Sequence, residues 1–136
     1  MKIKKLYEAK SLDIFEAIEK CDYDYFISKI NSGIDVNIRD EYELTPLMTI
    51  ANIWESSLPN LTKSIKKLVL KEMMIILIKE GADLNVRDNF NRDFVHLFAH
   101  KYQKEIIEYL RERVPKICKE YLKEYDLQNA VNKYNL

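Results

Sequence analysis

His96 and His100 are the only histidines in the chain and stand four residues apart. On one predicted helix that spacing lets two imidazoles share a metal ion, as in H-E-x-x-H, where the intervening glutamate acts as general base. The segment here reads His96-Leu97-Phe98-Ala99-His100. The glutamate is missing and no third ligand stands nearby in sequence, so no metal is expected. Cys21 is followed by Asp22 and Asp24, whereas a reactive thiolate needs a cationic neighbourhood. Neither a G-x-S-x-G elbow nor a Cys/His/Asn set accompanies it. The many carboxylates alternate with basic residues, as in Lys104-Glu105, Glu108 and Arg111-Glu112-Arg113, the pattern of a solvated helix face. Asn60-Leu61-Thr62 matches a glycosylation sequon, which carries little weight where no signal peptide is read. The sequence thus predicts no catalytic residue, no cofactor and no enzyme.

Composition narrows the class further. The chain has 136 residues, 47% hydrophobic and 32% charged, with 22 Lys+Arg balancing 22 Asp+Glu. That is one domain's length, with enough apolar residues for a core. Only two residues are glycine, against roughly ten for average usage. Phosphate-cradling loops of the Walker or dinucleotide type need several glycines close together, and a β sandwich needs frequent turns. Zero net charge lacks the electrostatic footprint of a nucleic-acid binder. Two cysteines, Cys21 and Cys118, make neither a disulfide scaffold nor a structural zinc site. No run of ~18 apolar residues offers a membrane span, and the Met1–Lys5 start leads into no apolar signal core. A cytoplasmic protein is expected, and the Lys/Ile/Asn/Tyr-rich composition points to an AT-rich genome of bacterial, phage or viral origin.

The two glycines open near-copies of one phrase. Gly33-Ile34-Asp35-Val36-Asn37-Ile38-Arg39-Asp40 is matched by Gly81-Ala82-Asp83-Leu84-Asn85-Val86-Arg87-Asp88. Thr45-Pro46-Leu47-Met48-Thr49-Ile50-Ala51 and Asp93-Phe94-Val95-His96-Leu97-Phe98-Ala99 follow at equal distances. Gly81 suits the left-handed residue that ends a helix, and Asp83 and Asn85 supply short acceptors for the next turn. Thr45 is a good N-cap, with Pro46 at the first helical position. Gly-Ala-Asp-Leu-Asn at 81–85 and Thr45-Pro46-Leu47 resemble ankyrin repeats, units of about 33 residues with the signature T-P-L-H-x-A. The resemblance implies an all-α solenoid of helix pairs joined by hairpin-like loops. Its register gives units at 12–32, 33–80 and 81–114, with capping helices at 1–11 and 115–136 closing the ends of a single domain. Cys118, Tyr121, Leu122, Tyr125 and Leu127 offer the C-terminal cap an inner face. The resemblance also makes His96 a structural residue that bonds backbone between units.

Three departures from the repeat mark where this chain is particular. The glycines lie 48 residues apart, so 15 extra residues fall between Ala51 and Ile75. Within them, Trp54 and Leu58 either fold back over a lengthened second helix at 64–80 or meet a partner directly. At the loop tips the family's usual glycine is replaced by Glu43 and Asn91. Asn tolerates a positive φ and Glu does so poorly, which predicts a different tip for the first loop. The first unit lacks the T-P-L-H motif.

By the same resemblance, the variable positions that would face a partner protein are Glu41, Tyr42, Leu44, Asn52, Ile53, Asn89, Phe90, Arg92, His100 and Lys101, with Trp54 added from the insertion. Aromatics and Arg are frequent interface anchors. Tyr42 and Phe90 have the alternative of packing on each other or on a neighbouring loop. The expected function is binding that inhibits or neutralises a partner protein. Other readings are a metal site on His96 and His100, nucleic-acid binding through Lys63, Lys66, Lys67 and Lys71 or Lys2, Lys4 and Lys5, and self-association into a homo-oligomer through the long middle helix.

Overall fold

A computed structural model describes residues 14–123, and every regular element in it is a helix. Residues 14–19 are helical and form α1. There follow α2 (Tyr23–Asn31), α3 (Pro46–Ile53), α4 (Lys63–Lys79), α5 (Phe94–Leu97), α6 (His100–Arg113) and α7 (Pro115–Tyr121). The expected N-terminal cap at 1–11 and the residues Tyr125 and Leu127 lie outside the described residues.

Short polar side chains decide where most helices begin. Asp22 accepts from Tyr25 N–H at 3.1 Å, Thr45 from Met48 N–H at 3.3 Å, Thr62 from Ile65 N–H at 3.2 Å and Asp93 from His96 N–H at 3.3 Å. Each satisfies an otherwise orphaned donor, worth about 0.5–2 kcal/mol. Left-handed residues decide where several end. Cys21 (φ 52°) terminates α1, with Asp22 N–H reaching back to Ala17 C=O at 2.9 Å. Gly81 (φ 98°) terminates α4, and Ala82 N–H bonds Leu77 C=O at 2.9 Å. Both are the 6→1 closure of a Schellman motif.

The apolar faces of α3 and α5 meet, and each also packs on the helix that follows it, α4 and α6 respectively. In addition, α2 contacts α4, and α7 packs on α6. The core draws on these helices: Ile14 and Ile18 of α1, Phe26 of α2, Leu47 and Ile50 of α3, Leu70, Met73 and Leu77 of α4, Phe94 of α5, and Ile106 and Leu110 of α6 are all buried. The lengthened α4 is tied to α6 by polar bonds. Tyr109 and Arg113 both donate to Glu72 Oε1, at 2.8 and 2.7 Å, and Lys71 pairs with Glu105 at 2.9 Å. The Arg113 hydrogen bond holds the Glu72 carboxyl below its ordinary range, and burial with the same carboxylate pushes Tyr109 up to about 12. At the C-terminal end, Cys118, Tyr121 and Leu122 are buried. The Tyr121 hydroxyl accepts from Val95 N–H at 3.0 Å, so α7 supplies a cap for the first turn of α5.

The middle unit is longer than the one after it in three places. The helix after the first loop has eight residues against four after the second (α3 and α5), and the next helix has 17 against 14 (α4 and α6). The connection between them takes residues 54–62 in the first case and only 98–99 in the second. The longer connection carries Leu58 and Leu61, both packed against the core. It also receives Lys66, which is 2% exposed and donates to the carbonyl and hydroxyl of Ser56. Burial pulls the Lys66 ammonium below its usual range.

Two sequence expectations are corrected here. The Glu43 tip does not depart from its counterpart: Glu43 and Asn91 both have φ 64°. The loop's other hydrogen bonds hold Glu43 in the left-handed region despite its side chain. His96 and His100 do not share a helix either, because the chain is extended at Phe98 and Ala99 (ψ 145° at each) and separates α5 from α6.

Candidate functional site

The loops at 33–45 and 81–93 share one set of hydrogen bonds, with Ile38 N–H to Asp35 C=O (3.2 Å) seen only in the first and the Arg92–Asp88 pair only in the second. Asp35 accepts from Asn37 N–H at 2.9 Å, and Asp83 from Asn85 N–H at 2.8 Å. The neck closes through Asp40 N–H to Leu44 C=O and Asp88 N–H to Arg92 C=O, both 2.9 Å. Inside each tip one carboxylate oxygen takes two backbone donors: Asp40 from Tyr42 and Leu44 (2.8 and 3.0 Å), Asp88 from Phe90 and Arg92 (2.9 and 2.8 Å). Arg39 and Arg87 donate to the carbonyls of Glu43 and Asn91 at 3.4 and 3.1 Å. Asn37 then joins one loop to the other, donating to Gly81 C=O at 3.1 Å and accepting from Asp83 N–H at 2.8 Å.

Because each tip's polar backbone is satisfied internally, its side chains are released outward. Tyr42 is 69% exposed and Phe90 79%. The Arg92 guanidinium is 5.2 Å from the centre of the Phe90 ring and pairs with Asp88 at 2.8 Å. Burial acts to raise the Asp88 carboxyl, but the hydrogen bonds from Arg92 and Phe90 outweigh it and hold the group below its ordinary value.

Three adjoining depressions run along this face. One of about 380 Å³ lies between α1, the first loop and α3, lined by Glu16, Glu19, Asp40, Glu41, Tyr42, Leu44 and Asn52 among others. The second, about 360 Å³, lies between the two tips and is lined by Tyr42, Leu44, Asn52, Asp88, Asn89, Phe90 and Arg92. The third, about 310 Å³, lies between α3, α5 and the start of α6, and includes Asn52, Trp54, Glu55, Arg92, His96 and Tyr102. Asn52 lines all three, so the depressions adjoin one another along this face, and together they are called the groove below.

The structure therefore brings together Glu41, Tyr42, Leu44, Asn52, Asn89, Phe90 and Arg92. Trp54 is corrected as a surface contact. It is 2% exposed and packs edge-on against Phe98 (5.3 Å) and Tyr102 (6.4 Å), with Lys67 5.4 Å from its ring centre. Trp54 contributes to the wall of the third depression, and its indole N–H meets no acceptor among the described residues. An indole of this area is most stable covered, and the insertion brings it onto the first residues of the next helix pair. Ile53 is half-buried against the core and lines none of the three depressions. His100 and Lys101 are exposed at the start of α6 and line none of the three depressions. Lys101 pairs with Glu55 at 3.3 Å, and Tyr102 donates to the same carboxylate at 2.7 Å. The Tyr102 hydroxyl, with Lys101, lowers the Glu55 carboxyl.

Glu16, Glu19 and Tyr102 belong to the groove and were not singled out from sequence. A signal for them existed. Glu16 and Glu19 are three apart on the polar side of the helix whose apolar side is Ile14, Phe15 and Ile18, and Tyr102 precedes Ile106 and Leu110 at four-residue steps.

The alternative sites are dispersed. His96 meets Asp93 through Nδ1 at 2.5 Å, and no group of three His, Cys, Asp or Glu among the described residues has metal-ligating geometry. In the Lys63–Lys71 cluster, Lys63 is exposed, Lys66 is buried, Lys67 lies 4.3 Å from the Tyr102 ring centre and Lys71 is paired with Glu105. Lys2, Lys4 and Lys5 lie outside the described residues. The Cys21 thiol is buried and pushed up by desolvation, against a smaller opposing pull from Lys66. No helix among the described residues is long and apolar enough to cross a membrane. Comparisons with family models, curated proteins and solved structures gave no match.

Proposed function

We propose that the chain is an ankyrin-repeat protein that works without catalysis, by binding a partner protein along the groove and inhibiting or neutralising it. The repeat reading rests on the two loops with matching hydrogen bonds and on Asn37, whose carboxamide spans from one to the other. The binding reading rests on one observation above all: two large rings, Tyr42 and Phe90, stand exposed at the rims of adjoining depressions. An aromatic in that position, on a tip already fixed by its backbone, loses little entropy on contact and buries a large area. A cytoplasmic address goes with this reading.

The test is recovery of a specific partner from the native cell, first with the wild-type chain and then with Tyr42→Ala and Phe90→Ala together. Both rings make no core contact, so the pair of substitutions should leave Tm unchanged while the partner is lost. A partner retained at full strength by the double variant, or no specific partner at all, would count against the proposal.

A further inference from the structure

The three depressions differ in charge. The second is balanced, with Asp88 against Arg92, and the third holds Glu55 beside Arg92 and His96. Among the described residues the first is lined by four carboxylates, Glu16, Glu19, Asp40 and Glu41, and by no Lys, Arg or His. Lys20, just after α1, pairs with Glu16 at 2.6 Å, and Arg39 is turned to Glu43 of the same loop, at 3.6 Å. In a chain of zero net charge, this local excess has its own consequence. Like charges gathered around a concave, partly apolar wall repel one another, and the field is focused into the hollow.

The apolar part of that wall supplies the second half of the chemistry. The Tyr42 ring stands 69% exposed at the edge of the hollow, with Leu44 and Phe15 beside it. A cation on an alkyl stem fits both features at once. Its methylenes cover Leu44 and Phe15, its head reaches the carboxylates, and a planar head can also lie on the Tyr42 ring. Arginine meets all three conditions, because guanidinium stacks on aromatic faces and binds carboxylates through a fork of donors, whereas ammonium does only part of this.

We propose that the groove takes an extended segment of its partner in which an arginine side chain fills the hollow between α1 and the first loop, with an apolar residue following towards Phe90. This rests on the reading of the groove as a partner-binding face and adds the chemistry of what enters it. The carboxylates of Glu19 and Glu41 are the recognition charges. Asp40 is already engaged by the backbone of its own tip and Glu16 by Lys20.

The probe is a short peptide selected from a random displayed library on the full-length chain, then synthesised and titrated by fluorescence anisotropy. The selected peptides should share an arginine next to an apolar residue. Replacing that arginine by Gln should weaken binding about tenfold, and by Lys less. A chain carrying Glu19→Gln and Glu41→Gln together, with Tm unchanged, should bind the Arg and Gln peptides alike. Affinity for the Arg peptide should also fall on raising the salt from ~50 to ~300 mM, as screening requires. Selected peptides without a cation, yet displaced by Tyr42→Ala and Phe90→Ala, would overturn this inference and leave the partner-binding reading standing. So would Arg peptides whose affinity the Glu-to-Gln chain keeps within about twofold. Peptides indifferent to every groove substitution would overturn both.

Discussion

The two matched loops and the two helix pairs that follow them obey different rules. From residue 33 to 45 and from 81 to 93, the same hydrogen bonds recur within a few tenths of an ångström. Beyond Thr45 and Asp93 the likeness stops. One pair is an eight-residue helix, a long connection and a 17-residue helix, whereas the other is a single turn followed almost directly by 14 residues. A loop of this kind is closed by its own residues, so the same letters give the same geometry wherever they occur. Helix lengths are set by what each helix must cover. In the longer pair, Trp54 at the end of α3 swings across to Phe98 and Tyr102. In the shorter pair, Phe98 itself breaks the helix and takes the edge of that indole. The insertion thus links the middle pair to the next one through packing, while Asn37 links their loops through hydrogen bonds.

Substitutions can test these two links separately. Trp54→Ala empties a buried, three-sided contact and should cost about 3–5 kcal/mol, read from urea unfolding. A loss below ~1 kcal/mol would mean that the indole is not what joins the pairs. Asn37→Ala removes a donor and an acceptor between the loops and should cost about 1–2 kcal/mol. Asn85→Ala, at the matched position, should fall within about 0.5 kcal/mol of wild type, since no hydrogen bond of its side chain is seen among the described residues. Equal costs for the two would remove the distinction drawn between them.

Smaller effects separate the tips and the insertion. Glu43→Gly relieves a left-handed residue at φ 64° and should gain about 0.5–1 kcal/mol, even with loss of the exposed Arg39–Glu43 pair. Asn91→Gly should gain less, because Asn tolerates that region. Lys66 tests the insertion through pH. Burial holds its folded-state pKa below the ordinary lysine value of 10.5. Burying the charged form therefore opposes folding at neutral pH, and stability should rise as pH climbs through the folded pKa towards 10.5. Lys66→Met should abolish that rise and leave neutral-pH stability equal or slightly higher. A wild-type chain with no such rise would show that Ser56 fully compensates the ammonium.

Much of the fold could be read from the residues because its signals are local. Thr45-Pro46 starts a helix by capping, Gly81 ends one by its positive φ, and Ile106, Ile107 and Leu110 repeat at helical spacing. The tip residues were legible through the repeat resemblance, whose register sets them after Asp40 and before Thr45, and after Asp88 and before Asp93. Trp54 was not legible. Two placements were open from sequence, on the lengthened helix or on a partner, and the actual contacts are 44 and 48 residues away in the chain, at Phe98 and Tyr102. The His96–Ala99–His100 step was misread because helical spacing continues across it, while Phe98 ψ of 145° breaks the helix.

The sequence by itself determined the phrase that begins at Gly33 and again at Gly81, and with it two loops of one geometry. It also determined that the excess length lies in the middle pair. Only the tertiary structure decided how that excess is used: part lengthens α3 and α4, and part forms a connection that buries Trp54 and Lys66. Tertiary structure also brought Glu16 and Glu19 of α1 beside Glu41 and Tyr42. The physical reason is range. Capping, turn closure and positive φ act over a few neighbouring residues, but burial and the charge of a groove depend on segments that meet only after the chain has packed.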